Sequence, residues 1–123
     1  HLLLPVFRSG GYLFVGDLHA AQGQGEIIGG GVEVGGSVTL GVEVIKNRPI
    51  TWPQICTQNF IGVIASGATL DVSIQIGYAQ LVLWLTKEYG YDRWEALNLV
   101  SQTGKAHPGN FRSALCSIEK RYL

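Results

Sequence analysis

The chain has 123 residues, of which 17 are glycine and 15% are charged, and its formal net charge is zero. Because 46% of the residues are hydrophobic, the chain can bury enough apolar surface to fold, which excludes an intrinsically disordered protein. It has no excess of basic residues to neutralise a phosphate backbone, so we expect no nucleic-acid partner.

The amino-terminal two-thirds of the chain predicts strands. Apolar runs alternate there with short glycine-rich turns, which is typical of β-hairpins. Two hairpins and two further strands are predicted: 2–7 with 12–16, 27–34 with 38–45, then 51–58 and 60–65. Pro53 makes residues 51–58 a candidate edge strand, because proline cannot donate a ladder hydrogen bond.

Two helices are predicted next. Asp71 can cap a helix over residues 72–89, because its carboxylate can accept hydrogen bonds from the free amides of the first turn. Asp92 can begin a second helix, since Glu95 follows three residues later, as in a capping box. We expect this second helix to end near residue 102.

The chain closes with a predicted turn at residues 107–110 and a last strand at 113–118. This order predicts an α+β fold: a β-rich, sandwich- or barrel-like part, then a helix-turn-helix pair, then a final strand. We expect a single unit over residues 1–123. Its parts are the β-rich residues 1–66 with a site loop at 16–26, the helical pair 71–103, and the final strand and tail 111–123.

The middle of the chain is poor in charge, since Asp71 is the only charged residue between Arg48 and Lys87. Such a composition is unusual for a soluble surface, so we expect protein to cover this segment. The segment lacks the roughly 18 continuous apolar residues of a membrane span, and we expect no membrane partner. The chain also begins without a methionine. We therefore expect a second subunit or chain segment, in a homo- or hetero-oligomer.

The residues best suited to chemistry lie in the site loop, whose sequence is GDLHAAQGQGE. On an extended backbone Asp17 and His19 project to the same side, and a carboxylate beside an imidazole is a common half of a divalent metal site. Glu26 can return to the same cavity as a general base. The alternative is that Asp17 and His19 only hydrogen-bond the glycine-rich loop.

The stretch GDLHAAQGQGEIIGGGVEV closely resembles the signature of the acetamidase/formamidase family, GDxHAAQGDGE followed by a small-residue strand. Three other stretches resemble the same family: LLLPVFRSGGYLFVGD, WLTKEYGYDRWEALNLVS, and GKAHPGN with the closing KRYL. The resemblance therefore covers nearly the whole chain. It implies the carboxyl-terminal half of a cytoplasmic, metal-dependent hydrolase that cleaves short amides, such as formamide or acetamide, to a carboxylate and ammonia.

The resemblance also implies roles for residues of the signature. Asp17 and His19 are the expected metal ligands, for a divalent cation that we expect to be zinc, with further ligands from the amino-terminal half. His19 and Glu26 are the expected catalytic residues, with Glu26 as the general base toward water activated by the metal. Three residues are expected against the small amide substrate or its oxyanion: Gln22, Gly23 and Gly25.

Two residues depart from the family signature. Leu18 stands where small residues are frequent, and Gln24 stands where aspartate is usual. The second change removes a carboxylate that could bind the metal or accept a hydrogen bond from a ligand. Because this carboxylate is missing, the alternative function is a non-catalytic structural or ligand-binding subunit on the same scaffold.

Several other residues have two interpretations. Cys56 and Cys116 are expected as reduced core residues, and a disulfide or a nucleophilic Cys56 is the alternative. His107 is expected in a turn, with a pocket-lining role as the alternative. Glu33 and Glu43 are expected on a solvated strand face, although strand carboxylates can also line a cleft.

Overall fold

The computed structural model describes all residues, 1–123, and confirms the α+β fold class. The elements in chain order are β1 (Leu2–Leu3), β2 (His19–Ala21), β3 (Val32–Glu33), β4 (Gln54–Cys56), β5 (Phe60–Ser66), α1 (Leu70–Glu88), α2 (Arg93–Thr103), β6 (Lys105–Pro108) and β7 (Ser113–Glu119). Single turns of 3-10 helix lie at Gln24–Glu26, Asn110–Arg112 and Lys120–Tyr122. Five strands form an antiparallel sheet in the order β1-β4-β5-β7-β6, and β2 pairs with β3 in a separate small sheet.

The centre of the main sheet is the pair β5 and β7, which runs in register from Phe60↔Glu119 to Ser66↔Ser113. Alternate residues of a strand face the same side, so the fully buried Ile61 and Ile118 lie on one face of the sheet. Both helices cover this face with buried side chains: Leu81, Trp84, Leu85, Ala96 and Val100. The hydrophobic core therefore lies between the helices and one face of β5 and β7.

The helix ends agree only in part with the sequence prediction. The capping box of α2 is confirmed, since the Asp92 carboxylate accepts hydrogen bonds from the amides of Trp94 and Glu95, at 2.7 and 2.9 Å. The predicted cap of α1 is wrong, because Thr69 occupies the cap position and Asp71 lies within the first turn. There the Thr69 hydroxyl donates to the Asp71 carboxylate and lowers its pKa.

Both predicted hairpins are wrong. Residues 12–16 and 38–45 form no strand, and β1 pairs instead with β4, through Leu2↔Ile55 and Leu3↔Gln54. An isolated two-stranded hairpin is marginally stable in water. A strand that joins a sheet already packed against helices is more stable than a strand in an isolated hairpin, which explains the long-range pairing of β1.

The turn predicted at 107–110 is displaced toward the carboxyl terminus, because His107 and Pro108 belong to β6, which pairs with β7, and the chain turns only after them. β6 is the edge strand of the main sheet, and Pro108 is its last residue, a position where proline is tolerated. The strand predicted at 60–65 and the last strand predicted at 113–118 are confirmed as β5 and β7.

Part of the charge-poor segment is buried within the chain itself. It contains β4, β5 and nearly all of α1, and Leu70 and Leu83 are its only exposed large apolar side chains. Part of its low charge therefore belongs to the core, and the interpretation of this segment as a surface for a partner stays a prediction. Most exposed large apolar side chains lie instead within residues 2–45, including Phe7 at 75% and Ile28 at 100% exposure. No helix combines the length and apolar composition that a membrane span requires.

Candidate metal site

The small sheet of β2 and β3 brings an imidazole and a carboxylate together. His19 and Glu33 are directly paired across the two strands, and such partners have Cβ atoms roughly 4.5–5.5 Å apart. Their side chains meet, with His19 Nε2 3.0 Å from Glu33 Oε1. The strand pairing thus positions Glu33 against the imidazole.

Asp17 reaches the same imidazole nitrogen from the start of the site loop. Its backbone is left-handed, with φ 62°, a conformation that aspartate tolerates better than most residues. The prediction of an extended backbone at Asp17 is therefore wrong, but the turn brings its Oδ1 to 3.2 Å from His19 Nε2. One ligand atom from each of Asp17, His19 and Glu33 lies within 4.8 Å of the other two. We call these three residues the DHE cluster.

The imidazole of His19 is buried, and both its nitrogens face oxygen atoms. Only 6% of the side chain is exposed, compared with 72% for Asp17 and 71% for Glu33. His19 Nδ1 donates to Gln22 Oε1 at 2.6 Å. A Cβ added at Gly31 would lie 2.5 Å from the same Nδ1, so the glycine makes room for the ring.

These contacts change the charge of His19. The hydrogen bond to Gln22, and then that to Glu33, raise the pKa of His19 to about 9. A proton on each nitrogen satisfies all the facing oxygens, so the imidazole is cationic at neutral pH. The DHE cluster thus stabilises a positive charge between two carboxylates, which is the electrostatic requirement of a cation site.

The geometry of the DHE cluster fits a divalent metal ion. Zinc binds nitrogen and oxygen ligands at about 2.0–2.2 Å, which places tetrahedral donors roughly 3.4 Å apart. The separations of 3.0 and 3.2 Å from His19 Nε2 to the two carboxylates are close to this value. Gln22 holds the other ring nitrogen, as the partners of metal-bound histidines do. One imidazole and two carboxylates also suit several other divalent ions.

The other site residues predicted from the sequence lie elsewhere in the loop. Glu26 is half-buried in the 3-10 turn and lies outside the DHE cluster. Gly23 precedes this turn and its carbonyl accepts from the Glu26 amide at 3.0 Å. Gly25 lies against β6, where an added Cβ would be 2.9 Å from Gly109 Cα.

For two residues of this region a place in a site was only the alternative interpretation of the sequence. Glu33 was expected on a solvated face, because the alternating pattern predicts its strand but not the pairing with β2. His107 was expected in a turn, yet its Nδ1 is 2.6 Å from Gln24 Nε2. Gln24 therefore contacts β6 and lies outside the DHE cluster.

The cysteines are both free. Cys116 is fully buried in the core, as predicted, and burial raises the pKa of its thiol to about 11. A thiol that holds its proton at neutral pH is a poor nucleophile. Cys56 is half-buried in β4, with its thiol directed to the carbonyl oxygen of Thr57 at 3.9 Å.

The known proteins that this chain resembles all carry the names acetamidase or formamidase. Residues 1–107 match the Acetamidase/Formamidase family. The acetamidase of Yersinia enterocolitica has a similar structure, with a TM-score of 0.79 and 34% identity over 84% of this chain. An acetamidase from Bacillus halodurans has a TM-score of 0.73 and 32% identity over 85% of this chain. A formamidase homologue of Schizosaccharomyces pombe is 45% identical over 47 residues, which is 37% of this chain.

The relatives are much longer than this chain. The match spans 32% of the Yersinia protein, 37% of the Bacillus protein and 12% of the Schizosaccharomyces protein. The chain thus corresponds to about a third of each structural relative, less than the half that the signature resemblance implies. The family match nevertheless extends from the first residue into β6. The chain belongs to the acetamidase/formamidase family.

Proposed function

We propose that this chain is part of a metal-dependent hydrolase that cleaves short linear amides, of the formamide or acetamide kind, to a carboxylate and ammonia. The observation that carries the proposal is the DHE cluster, an imidazole held between two carboxylates within the family signature. The family supplies the amide-hydrolase chemistry, and the cluster supplies a cation site for it.

In this proposal Asp17, His19 and Glu33 hold the metal, and zinc is the expected ion. A bound divalent cation would activate water and polarise the amide carbonyl. Gln22 accepts the Nδ1 proton of His19, which fixes the ring so that Nε2 faces the two carboxylates, where a metal would take the place of the Nε2 proton. The loop therefore prepares the imidazole as a ligand rather than as a mobile base.

We propose Glu26 as the general base that takes a proton from the attacking water and passes it to the leaving amine. Support comes from its half-buried carboxylate in the same loop as Gln22. The backbone amides of Gly23 and Gly25 are the proposed oxyanion donors. Glu26→Gln should then lower kcat and leave zinc binding intact, whereas Glu33→Gln should weaken zinc binding.

A second subunit or chain segment, carrying the amino-terminal half of the family, is the proposed partner of residues 2–45. Support comes from the exposed apolar side chains of this region and from relatives about three times as long as the matched segment. The partner would add ligands and substrate-binding walls in a homo- or hetero-oligomer. We propose a cytoplasmic location, as the signature resemblance implies.

The test uses the protein purified from its source with any chain that co-purifies. We expect stoichiometric zinc and release of ammonia from formamide or acetamide, and His19→Ala should abolish both. Glu43→Gln is the matched control, because it removes an exposed carboxylate outside the DHE cluster. If the purified protein binds no zinc and releases no ammonia, the proposal fails and a non-catalytic subunit is favoured.

A further inference from the structure

The site loop is attached to the main sheet at one place. Between residues 16–33 and the five-stranded sheet there is a single hydrogen bond, from Gln24 Nε2 to His107 Nδ1 at 2.6 Å. The DHE cluster is confined to residues 17–33, and its internal contacts therefore do not connect it to the core. Its position relative to the main sheet depends on the contact at His107.

The backbone of His107 is fixed by the pairing of its strand in the main sheet. Its strand β6 pairs with β7, with His107 opposite Leu115. β7 in turn pairs along its whole length with β5 and carries three fully buried residues: Ala114, Cys116 and Ile118. The imidazole thus extends from an edge strand that is paired to the central strands of the main sheet.

The backbone of the loop lies directly on the end of β6. Gly25 has a φ of 71°, and a Cβ at this position would overlap the carbonyl oxygen of Pro108. A glycine is needed here both for the left-handed backbone and for the close approach. The contact of Gly25 lies beside the hydrogen bond of Gln24, so the two hold the same turn of the loop.

We propose that His107 is a positioning residue for the metal site, a role that rests on the proposed function. By accepting a hydrogen bond from Gln24, His107 holds the loop so that Gln22, two residues earlier, stays bonded to His19. Loss of the acceptor would free the turn at residues 24–26. The orientation of the His19 ring would then no longer be fixed, and metal affinity would fall.

Hydrogen–deuterium exchange at residues 22–26 tests the attachment without any metal. His107→Ala and Gln24→Ala each remove one side of the hydrogen bond and should speed exchange equally, with no further increase in the double variant. His107→Asn retains an acceptor on the same strand and should restore the wild-type rate. Lys105→Ala is the matched control, because Lys105 shares the strand face of His107 but its ammonium pairs with Glu119.

Zinc affinity tests the consequence for the metal site. Removing a group bonded directly to a metal ligand typically weakens metal binding by about 10–100-fold. His107 and Gln24 act through Gln22, so we expect the lower end, about 10-fold, for His107→Ala and Gln24→Ala. His107→Asn and Lys105→Ala should bind zinc as the wild type does.

Unchanged exchange at residues 22–26 in His107→Ala would overturn the proposal. Equally fast exchange in His107→Asn would do the same, since a missing acceptor would then not be the cause. Unchanged zinc affinity in His107→Ala would also refute the positioning role. If the wild-type protein binds no zinc, the proposed function fails, while the exchange data still decide whether His107 holds the loop.

Discussion

Gly77 sets how closely α1 approaches β7, and Gly77→Ala tests that approach. A Cβ added at Gly77 would lie 2.5 Å from Cys116 Sγ and 2.9 Å from Cys116 Cβ. Favourable contacts between such atoms occur at about 3.5–4.0 Å. Cys116 cannot move aside easily, because β7 is held between β5 and β6 and the thiol donates to the Ile74 carbonyl at 3.5 Å.

The expected cost follows from two opposing terms. Extra methyl groups in a packed core cost about 1–3 kcal/mol, and an overlap of roughly 1 Å against a fixed strand places this site at the upper end. Alanine in place of glycine inside a helix gains about 1 kcal/mol. We expect the free energy of unfolding to fall by about 2 kcal/mol in Gly77→Ala.

Urea denaturation followed by circular dichroism measures this change, and a double-mutant cycle isolates the contact. Cys116→Ala alone should cost about 1 kcal/mol, as for a small deletion in a core. The double variant should be less destabilised than the sum of the two single variants, because removal of the sulfur leaves only the Cβ of residue 116, at 2.9 Å, against the new methyl group. A coupling of about 1–2 kcal/mol is expected. Additive costs, or a Gly77→Ala variant more stable than the wild type, would refute this account of the helix position.

Three further changes probe other contacts. Gly25→Ala should speed hydrogen exchange of the site loop more than Gly29→Ala, because both have left-handed backbones but an added Cβ at Gly29 meets no atom; equal effects would contradict the close approach to β6. Glu88→Gln should lower the free energy of unfolding by about 1 kcal/mol, since the side chain accepts two hydrogen bonds from Arg48, at 2.9 and 2.8 Å. Those bonds lower the pKa of Glu88 from 4.5, so this stabilisation is present above pH 4.5 and disappears as the pH falls through the lowered value. The free energies of unfolding of the wild type and of Glu88→Gln, measured at decreasing pH, should therefore converge. Asp92→Ala should cost about 1 kcal/mol through loss of the α2 cap, and an unchanged urea midpoint would argue against that cap.

The helices and central strands could be predicted because their signals are local. Asp92 and Glu95 stand at the spacing of a capping box, and their hydrogen bonds form within one turn. β5 is a nearly continuous apolar run and β7 has apolar residues at alternate positions, which suits a sheet with helices on one face. In these elements the residues that determine the structure are neighbours in the sequence.

The strand pairing could not be predicted, because it depends on residues far apart in the chain. Glycine turns at residues 9–11 and 35–36 favour hairpins, yet β1 joins β4 more than fifty residues later. A turn makes a hairpin possible but does not bury its faces. The apolar side chains at residues 12–15 remain exposed, so pairing them locally would have removed little surface from water.

The candidate site also has one part that local sequence predicts and another that depends on distant residues. Asp17 and His19 are two residues apart, and their proximity was predicted, although through a turn rather than an extended backbone. Glu33 required knowledge of the partner of its strand, and His107 required the fold of the main sheet. Local spacing therefore indicates half of the DHE cluster, and the remaining carboxylate and the support of the loop come from tertiary structure.

Gln24 shows why a departure from a family signature has to be interpreted with the structure. From the signature alone, glutamine in place of aspartate removes a carboxylate that could serve the metal. In the structure the side chain at this position points to His107, outside the DHE cluster. The substitution therefore replaces a carboxylate by an amide at the attachment of the loop, where Gln24 donates to an imidazole nitrogen. The DHE cluster is untouched by this change, so the substitution bears on the contact between the loop and β6.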